Sequence, residues 1–155
     1  MQQRKSVSLV LWSFVIVTLF ELHGSSSQVE SKTKNIIDVY SPPVFDIAVL
    51  RNQKPVIVFF ASKQCILCER MLSKIEALAQ DEYSEDLYLA RADVDRFPDL
   101  MERLGVSKTP TVRAYVKGVM TEEVRGLKML EIYDMLERAA KVGRVREAFR
   151  NKFSG

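Results

Sequence analysis

The chain contains only two cysteines, Cys65 and Cys68, and two residues separate them. They follow an apolar run at 55–61 and precede a segment whose apolar residues recur with helical spacing, so we expect them at the first turn of a helix. Two thiols at this spacing can close a small disulfide, and a helix N-terminus favours the thiolate of the first one. The pattern therefore predicts a site of thiol chemistry.

Length and composition limit the classes of protein to consider. A chain of 155 residues fits one ordinary domain with extra segments at its ends, and an apolar content of 47% is too high for a disordered protein. The net charge is only +3, and no stretch of basic residues alternates with aromatic residues. We therefore expect no nucleic-acid partner.

The first 27 residues differ from the rest of the chain. A polar start with Arg4 and Lys5 is followed by an apolar stretch with Ser and Thr at 7–20, and then by small and polar residues at 21–27. This order is typical of a secretory signal peptide, and the apolar stretch is shorter than the roughly 20 residues that cross a membrane. We expect a signal peptide over 1–27 and a domain in the endoplasmic reticulum lumen or secreted. The alternative is an uncleaved signal anchor that tethers the domain to a membrane.

The only histidine, His23, lies inside this N-terminal segment. Its removal would exclude a Cys–His dyad, a Ser–His–Asp triad and any histidine-ligated metal. Two cysteines alone also fall short of a four-ligand zinc site, so we expect no metal and no cofactor. Four carboxylates are expected to cap and solvate a short helix instead: Asp93, Asp95, Asp99 and Glu102.

Hydrophobic periodicity predicts a flexible segment at 28–35, an α/β domain over 36–142 and a basic, solvated tail over 143–155. Strands are expected at 36–40, 55–61, 87–94, 111–116 and 119–124. Helices are expected to begin at Ser41, Cys65, Arg96 and Met129, and the last to end near Gly143. Crossover connections and a final hairpin at Lys117-Gly118 imply a mixed sheet with helices on both faces.

A Cys-x-x-Cys after a buried strand, with Thr109-Pro110 before the hairpin, resembles the thioredoxin fold. Within that family the chain is most similar to a single domain of the protein disulfide isomerase type. The resemblance implies a cis Thr109–Pro110 bond beside the cysteine pair, with the backbone of Thr109 presented to a substrate chain. It also implies that Cys65 attacks cysteine-containing protein substrates and that Cys68 resolves the mixed disulfide.

The chain departs from the family pattern at four places, one of which is a turn from Ala61 to Cys65 that is one residue longer than usual. Gln64 stands where Trp is usual, Ile66-Leu67 replaces a Gly-Pro or Gly-His spacer, and apolar Val58 or Phe59 stands where the family keeps a buried acid. We expect Ile66 and Leu67 to form an exposed apolar lip that contacts substrates. Three hypotheses stay open: a secretory-pathway thiol–disulfide oxidoreductase, an adapter or chaperone that binds a partner at the Thr109-Pro110 surface, and a domain tethered to a membrane by its N-terminal segment. A fixed and idle disulfide is the alternative to a reactive pair.

Overall fold

A five-stranded mixed sheet forms the centre of the fold. The structure is a computed structural model that describes residues 35–153, so the signal segment predicted at 1–27 and nearly all of the flexible segment lie outside the described residues. The strands are β1 (Ile36–Val39), β2 (Val56–Ala61), β3 (Tyr88–Asp93), β4 (Thr111–Val116) and β5 (Val119–Arg125). Their order in the sheet is β1-β3-β2-β4-β5. Strands β1, β3 and β2 are parallel to one another, β4 is antiparallel to β2, and β5 is antiparallel to β4.

Helices cover both faces of this sheet. They are α1 (Pro42–Phe45), which continues as a π-helical segment (Asp46–Leu50), α2 (Ile66–Asp81), α3 (Pro98–Leu104) and α4 (Met129–Phe153). The predicted α/β class and mixed sheet are confirmed. Among the helices within residues 35–153, none combines the length and the apolar character needed to cross a membrane.

Strand β2 lies at the centre of the sheet, and its side chains are buried on both faces. Ile57 and Phe59 belong to one core with α2 and α4, whereas Val56, Val58 and Phe60 belong to a second core with α1 and α3. Alternating side chains of a strand point to opposite faces, so an uninterrupted apolar run requires cover on both sides. This requirement fixes β2 in the interior and brings its carboxyl end to the loop that precedes Cys65.

Local signals place several element ends where the sequence predicts them. Ser41 caps α1 by accepting a hydrogen bond from the backbone of Val44 at 3.4 Å. Gly105 ends α3 in the left-handed conformation. Lys117 and Gly118 both have positive φ, as the two-residue turn of a hairpin requires.

The predicted end of the last helix near Gly143 is wrong. Helix α4 continues to Phe153, and Gly143 is buried inside it. A Cβ at this position would overlap the carbonyl oxygen of Asp86, so the glycine permits close packing of the helix on the chain before β3. The structure does require glycine at position 143, but not to end the helix. It requires glycine because the backbone of Asp86 comes too close for a side chain.

We predict that two opposite substitutions in α4 both destabilise the domain. Gly143→Ala should lower the free energy of unfolding by about 1–3 kcal/mol, because the added methyl overpacks against Asp86 and outweighs the better helix propensity of alanine. Ala148→Gly should cost up to about 1 kcal/mol, because Ala148 is exposed inside the helix. Denaturant unfolding measures both, and a stabilising Gly143→Ala or a neutral Ala148→Gly would contradict this account of the helix.

Candidate active site

The sulfur of Cys65 caps the N-terminus of helix α2. Strand β2 ends at Ala61, residues 62–64 form the loop, and Cys65 is the residue immediately before the first turn. The backbone N–H of Cys68 donates to Sγ of Cys65 at 3.1 Å, and the N–H of Cys65 donates to the carbonyl of Ser62 at 3.1 Å. A sulfur in this position faces the positive end of the helix dipole, which favours a thiolate there when the pair is reduced.

Cys65 and Cys68 form a disulfide with an S–S distance of 2.03 Å and a Cα–Cα distance of 5.2 Å. The two residues differ in accessibility. Cys68 is only 1% exposed and belongs to the core beside α2, whereas Cys65 is half-buried. An external thiol or disulfide therefore reaches Cys65 first.

Ile66 and Leu67, between the two cysteines, point to solvent. Their exposed fractions are 70% and 53%, large for apolar residues in the first turn of a helix. They form an apolar surface directly beside the accessible sulfur. We call these two residues the apolar lip.

Thr109 and Pro110 lie at the same edge of the sheet as the cysteine pair. Thr111 at the start of β4 pairs with Phe60 near the end of β2, and Cys65 follows β2 after a short loop. The Thr109–Pro110 peptide bond is cis; Pro110 is buried and Thr109 half-buried. The structure thus places all six site residues that the sequence indicated at one edge: Cys65, Cys68, Ile66, Leu67, Thr109 and Pro110.

A buried arginine, which the sequence analysis missed, holds the chain before Pro110. Arg113 on β4 is 5% exposed, donates to the carbonyl of Leu104 at 2.7 Å and pairs with Glu123 on β5 at 2.6 Å. Burial acts to raise the pKa of Glu123, but the hydrogen bonds from Arg113 and Arg125 prevail and hold that pKa below its ordinary value. The arginine links the end of α3 to the sheet, and its sequence signal was a charge inside an otherwise apolar strand.

A cavity of about 450 Å³ opens beside the disulfide. Phe59, Cys65 and Cys68 line it on one side, with the charged residues Asp38, Lys63, Glu69, Arg91, Asp93 and Arg96 among the others around it. The resemblance implies a buried acid at Val58 or Phe59, and both are apolar and buried: Phe59 in the core with Cys68, Val58 in the core on the other face of the sheet. Carboxylates line the cavity beside the pair, while the strand position beneath the pair carries the apolar side chain of Phe59.

One ion network ties the sheet to helix α2 beside this cavity. Arg91 on β3 contacts Asp38 on β1 at 2.6 Å and Glu76 on α2 at 2.8 Å. Its hydrogen bonds to Asp38 and Glu76 raise the pKa of Arg91, so it stays charged. Asp38 and Arg91 are register partners in the neighbouring strands β1 and β3. The ion pair could have been predicted from the sequence if the register of these two strands had been known.

The predicted helix-capping role of the acidic cluster is only partly right. Asp99 lies in the first turn of α3, but that helix has no side-chain cap at Phe97. Asp95 instead accepts a hydrogen bond from Ser62 at 2.6 Å, and Asp93 pairs with Lys63 at 3.5 Å. These contacts anchor the loop before Cys65. Within residues 35–153, His, Cys, Asp and Glu side chains form no group of three or more that could hold a metal ion.

Comparison with known proteins identifies the class. The thioredoxin of Malassezia sympodialis has a solved structure that aligns with a TM-score of 0.63 and 17% identity, over 68% of this chain and 90% of that one. Such a likeness shows the fold alone, and the fold together with the disulfide at the start of α2 defines a thioredoxin-like protein. A family model for thioredoxin matches residues 34–138. The chain belongs to the thioredoxin family, which confirms the resemblance seen in its motifs.

Two relatives show both branches of that resemblance. Thioredoxin of Streptomyces clavuligerus is 27% identical over 95 residues, which are 61% of this chain and 83% of the relative. Protein disulfide isomerase-like 2-2 of Oryza sativa is 35% identical over 81 residues, which are 52% of this chain. The chain spans only 22% of the length of that second relative.

We predict that alkylation separates the two cysteines of the reduced protein. Iodoacetamide should modify Cys65 at least about tenfold faster than Cys68, because Cys65 is accessible and held at a helix N-terminus while Cys68 is buried. Peptide mass spectrometry of timed samples measures both rates. In the urea-unfolded control the two rates should converge, and equal rates in the native protein would overturn the assigned difference.

Proposed function

We propose that the chain is a protein thiol–disulfide oxidoreductase of the secretory pathway, which exchanges disulfides with cysteine-containing proteins through Cys65 and Cys68. One observation carries the proposal: the bonded pair lies at the N-terminus of α2, with Cys65 accessible and Cys68 buried behind it. Membership of the thioredoxin family supports the same class of chemistry. No cofactor beyond the dithiol is needed.

The exchange proceeds in two balanced steps. The Cys65 thiolate attacks one sulfur of a substrate disulfide, that bond breaks, and the substrate's other cysteine leaves as a thiolate. Cys68 then loses its proton and attacks Sγ of Cys65, which forms the Cys65–Cys68 disulfide and releases the second substrate thiolate. Two electrons pass from the pair to the substrate, and the reverse sequence oxidises a substrate dithiol.

Backbone groups of α2, together with the cavity, provide the electrostatics for these steps. The N–H of Cys68 and the helix dipole stabilise negative charge on Cys65. Cys68 is lined by apolar neighbours such as Phe59 but also borders the cavity that carries Asp38 and Asp93. This cavity gives the Cys68 proton a polar route to solvent although the strand beneath has no acid.

The apolar lip and the Thr109 backbone form the substrate surface of the proposal. Ile66 and Leu67 are exposed beside Cys65, and the half-buried Thr109 lies at the same edge of the sheet. An unfolded or extended segment can place apolar side chains on the lip while its disulfide reaches Cys65. The proposed substrates are therefore incompletely folded proteins with accessible disulfides.

The proposed compartment, the secretory pathway, is based on the N-terminal segment alone. Residues 1–27 have the order of a signal peptide, and a signal anchor would leave the same domain tethered to a membrane. An oxidising compartment is where a cysteine pair of this kind persists as a disulfide. Either arrangement gives the pair access to proteins that acquire disulfides after export.

A second candidate function is a binding module that captures partners without turning over. The observation in its favour is the large apolar exposure of the lip, together with apolar Phe59 in the core beside Cys68. Such a protein would use the lip and the Thr109-Pro110 surface as a chaperone or adapter does. It would keep its disulfide closed during binding.

We expect the Cys68→Ser variant to trap protein substrates as mixed disulfides, because attack by Cys65 is intact and resolution is lost. Non-reducing electrophoresis with a disulfide-containing protein measures the trapped species, and Cys65→Ser is the matched control that should trap none.

The wild-type pair should also show a reversible transition between about −120 and −270 mV in glutathione buffers. A pair that resists reduction below about −300 mV, with no trapping by Cys68→Ser, would favour the binding module.

We expect the Ile66→Ser/Leu67→Ser double variant to lower kcat/KM about tenfold for a protein disulfide and to leave the rate with a small aromatic disulfide unchanged. The physical reason is the loss of apolar burial on the lip when a polypeptide binds. Leu127→Ser/Leu130→Ser is the matched control, since both leucines are exposed elsewhere. Equal losses with both substrates would show that the lip supports the thiol chemistry and does not recognise polypeptides.

A further inference from the structure

The C-terminal half of helix α4 presents an apolar stripe that the redox site does not use. The stripe consists of Val142, Val145, Phe149 and Phe153, whose exposed fractions rise from 39% at Val142 to 78% at Phe153. At about 100° per residue these four side chains fall within about 80° of the helix surface. The sequence analysis predicted a solvated basic tail here, and the helix gives the same residues a defined apolar side.

The helix is fixed to the domain just before the stripe extends away from it. Gly143 packs against the backbone of Asp86, and Arg144 bonds the carboxylates of Asp86 at 2.8 Å and Glu137 at 3.1 Å. Arg146 donates to Gln53 at 3.3 Å. Packing and ion pairs therefore set the orientation of the stripe relative to the rest of the domain, and the stripe is not a frayed end.

The apolar surface continues from the stripe onto the domain. A groove of about 550 Å³ lies between α4 and the β4–β5 hairpin, and Val142 and Val145 line it together with Ala114, Val116 and Ala139. Lys141 and Arg146 lie at the same groove. One continuous face thus joins the groove to the two phenylalanines.

Basic side chains border the stripe on both sides. From the helical period, Lys141 and Lys152 follow one border, and Arg146 and Arg150 follow the other. Residues 141–153 carry five basic side chains and one acidic one, Glu147. This is the pattern of a helix that lies in a membrane interface, with aromatic residues towards the acyl chains and cations at the level of the headgroups.

We propose that this face of α4 docks on an anionic lipid bilayer, with Phe149 and Phe153 inserted at the interface. Charge complementarity favours the bilayer, because cations on both borders meet negative headgroups on both sides. Geometry favours it as well. The domain covers the adjacent face of α4, through Ala139, Ala140 and Gly143, so a partner groove cannot enclose the helix there whereas a flat surface can meet the stripe.

The test uses the full chain with a single fluorescent reporter. Trp12 is the only tryptophan, so a Trp12→Phe background with Phe149→Trp places the signal on the stripe. Leu130→Trp in the same background is the control, an exposed position on the other end of α4. Emission is recorded with phosphatidylcholine vesicles and with phosphatidylcholine vesicles that contain phosphatidylserine, and brominated lipids report insertion by quenching.

Docking predicts a blue shift and bromine quenching for Phe149→Trp with the anionic vesicles only, weakened by salt, and no change for Leu130→Trp. Lys141→Gln/Lys152→Gln should weaken partitioning about 30-fold, because each basic side chain near an anionic surface contributes about fivefold. Lys74→Gln/Lys108→Gln makes the same change in charge elsewhere on the domain and should have no effect. The comparison of neutral and anionic vesicles at position 149 also separates docking of the stripe from binding by the apolar segment at 7–20.

Three results would overturn the proposal. The first is an unchanged emission from Phe149→Trp with every vesicle. The second is an equal shift with neutral and anionic vesicles, which would assign the binding to apolar contact alone. The third is a shift without vesicles that grows with protein concentration, which would assign the stripe to a second copy of the chain.

Discussion

The burial of β2 on both faces is the constraint on which the remaining structure depends. Its side chains alternate between two cores, so helices must cover both sides of the sheet and the strand cannot lie at an edge. Burial of the strand also fixes where its two ends are. The carboxyl end at Ala61 delivers the chain to Cys65, and the pairing of Phe60 with Thr111 brings the start of β4 to the same place. The cysteine pair and the Thr109–Pro110 bond thus lie at the same edge of the sheet because one apolar strand is central.

Charge is arranged around the pair and kept out of the strand beneath it. Backbone N–H groups of α2 face the accessible sulfur, whereas the carboxylates and cations line the adjoining cavity and pair with one another. Arg91 joins β1, β3 and α2 in one of these networks, and Arg113 joins α3 to β4 and β5 in another. Arg113 satisfies groups that burial would otherwise leave unpaired, whereas Arg91 pairs with partly exposed carboxylates. Each arginine lies beside a segment that carries the site.

Apolar periodicity was sufficient to predict a mixed sheet and the order of elements, whereas the resemblance to the thioredoxin fold predicted that Thr109-Pro110 lies beside the cysteine pair. The pattern of β2, the left-handed Gly105 and the Lys117-Gly118 turn are local requirements, and local requirements can be read from residue types. The role of Gly143 could not be read in this way, because its cause is the backbone of Asp86, which is distant in sequence. The pairing of Asp38 with Arg91 likewise depends on strand register, and the contact of Asp95 with Ser62 depends on where two loops meet. The sequence therefore indicates the candidate reactive residues, while the residues that position them come from long-range packing.

The cysteine bond closes a very short stretch of chain, with a sequence separation of three residues. A loop of this length restricts the unfolded chain less than a long loop would, and the chain-entropy model gives about 2 kcal/mol for it. The two apolar cores are built from strands of the sheet and the helices on its two faces, and Cys68 is buried in one of them. On the chain-entropy model, reduction lowers the free energy of unfolding by about 2 kcal/mol, so stability depends in part on oxidation state. The domain can give up and regain two electrons while it stays folded. The change in covalent bonding is confined to the first turn of α2.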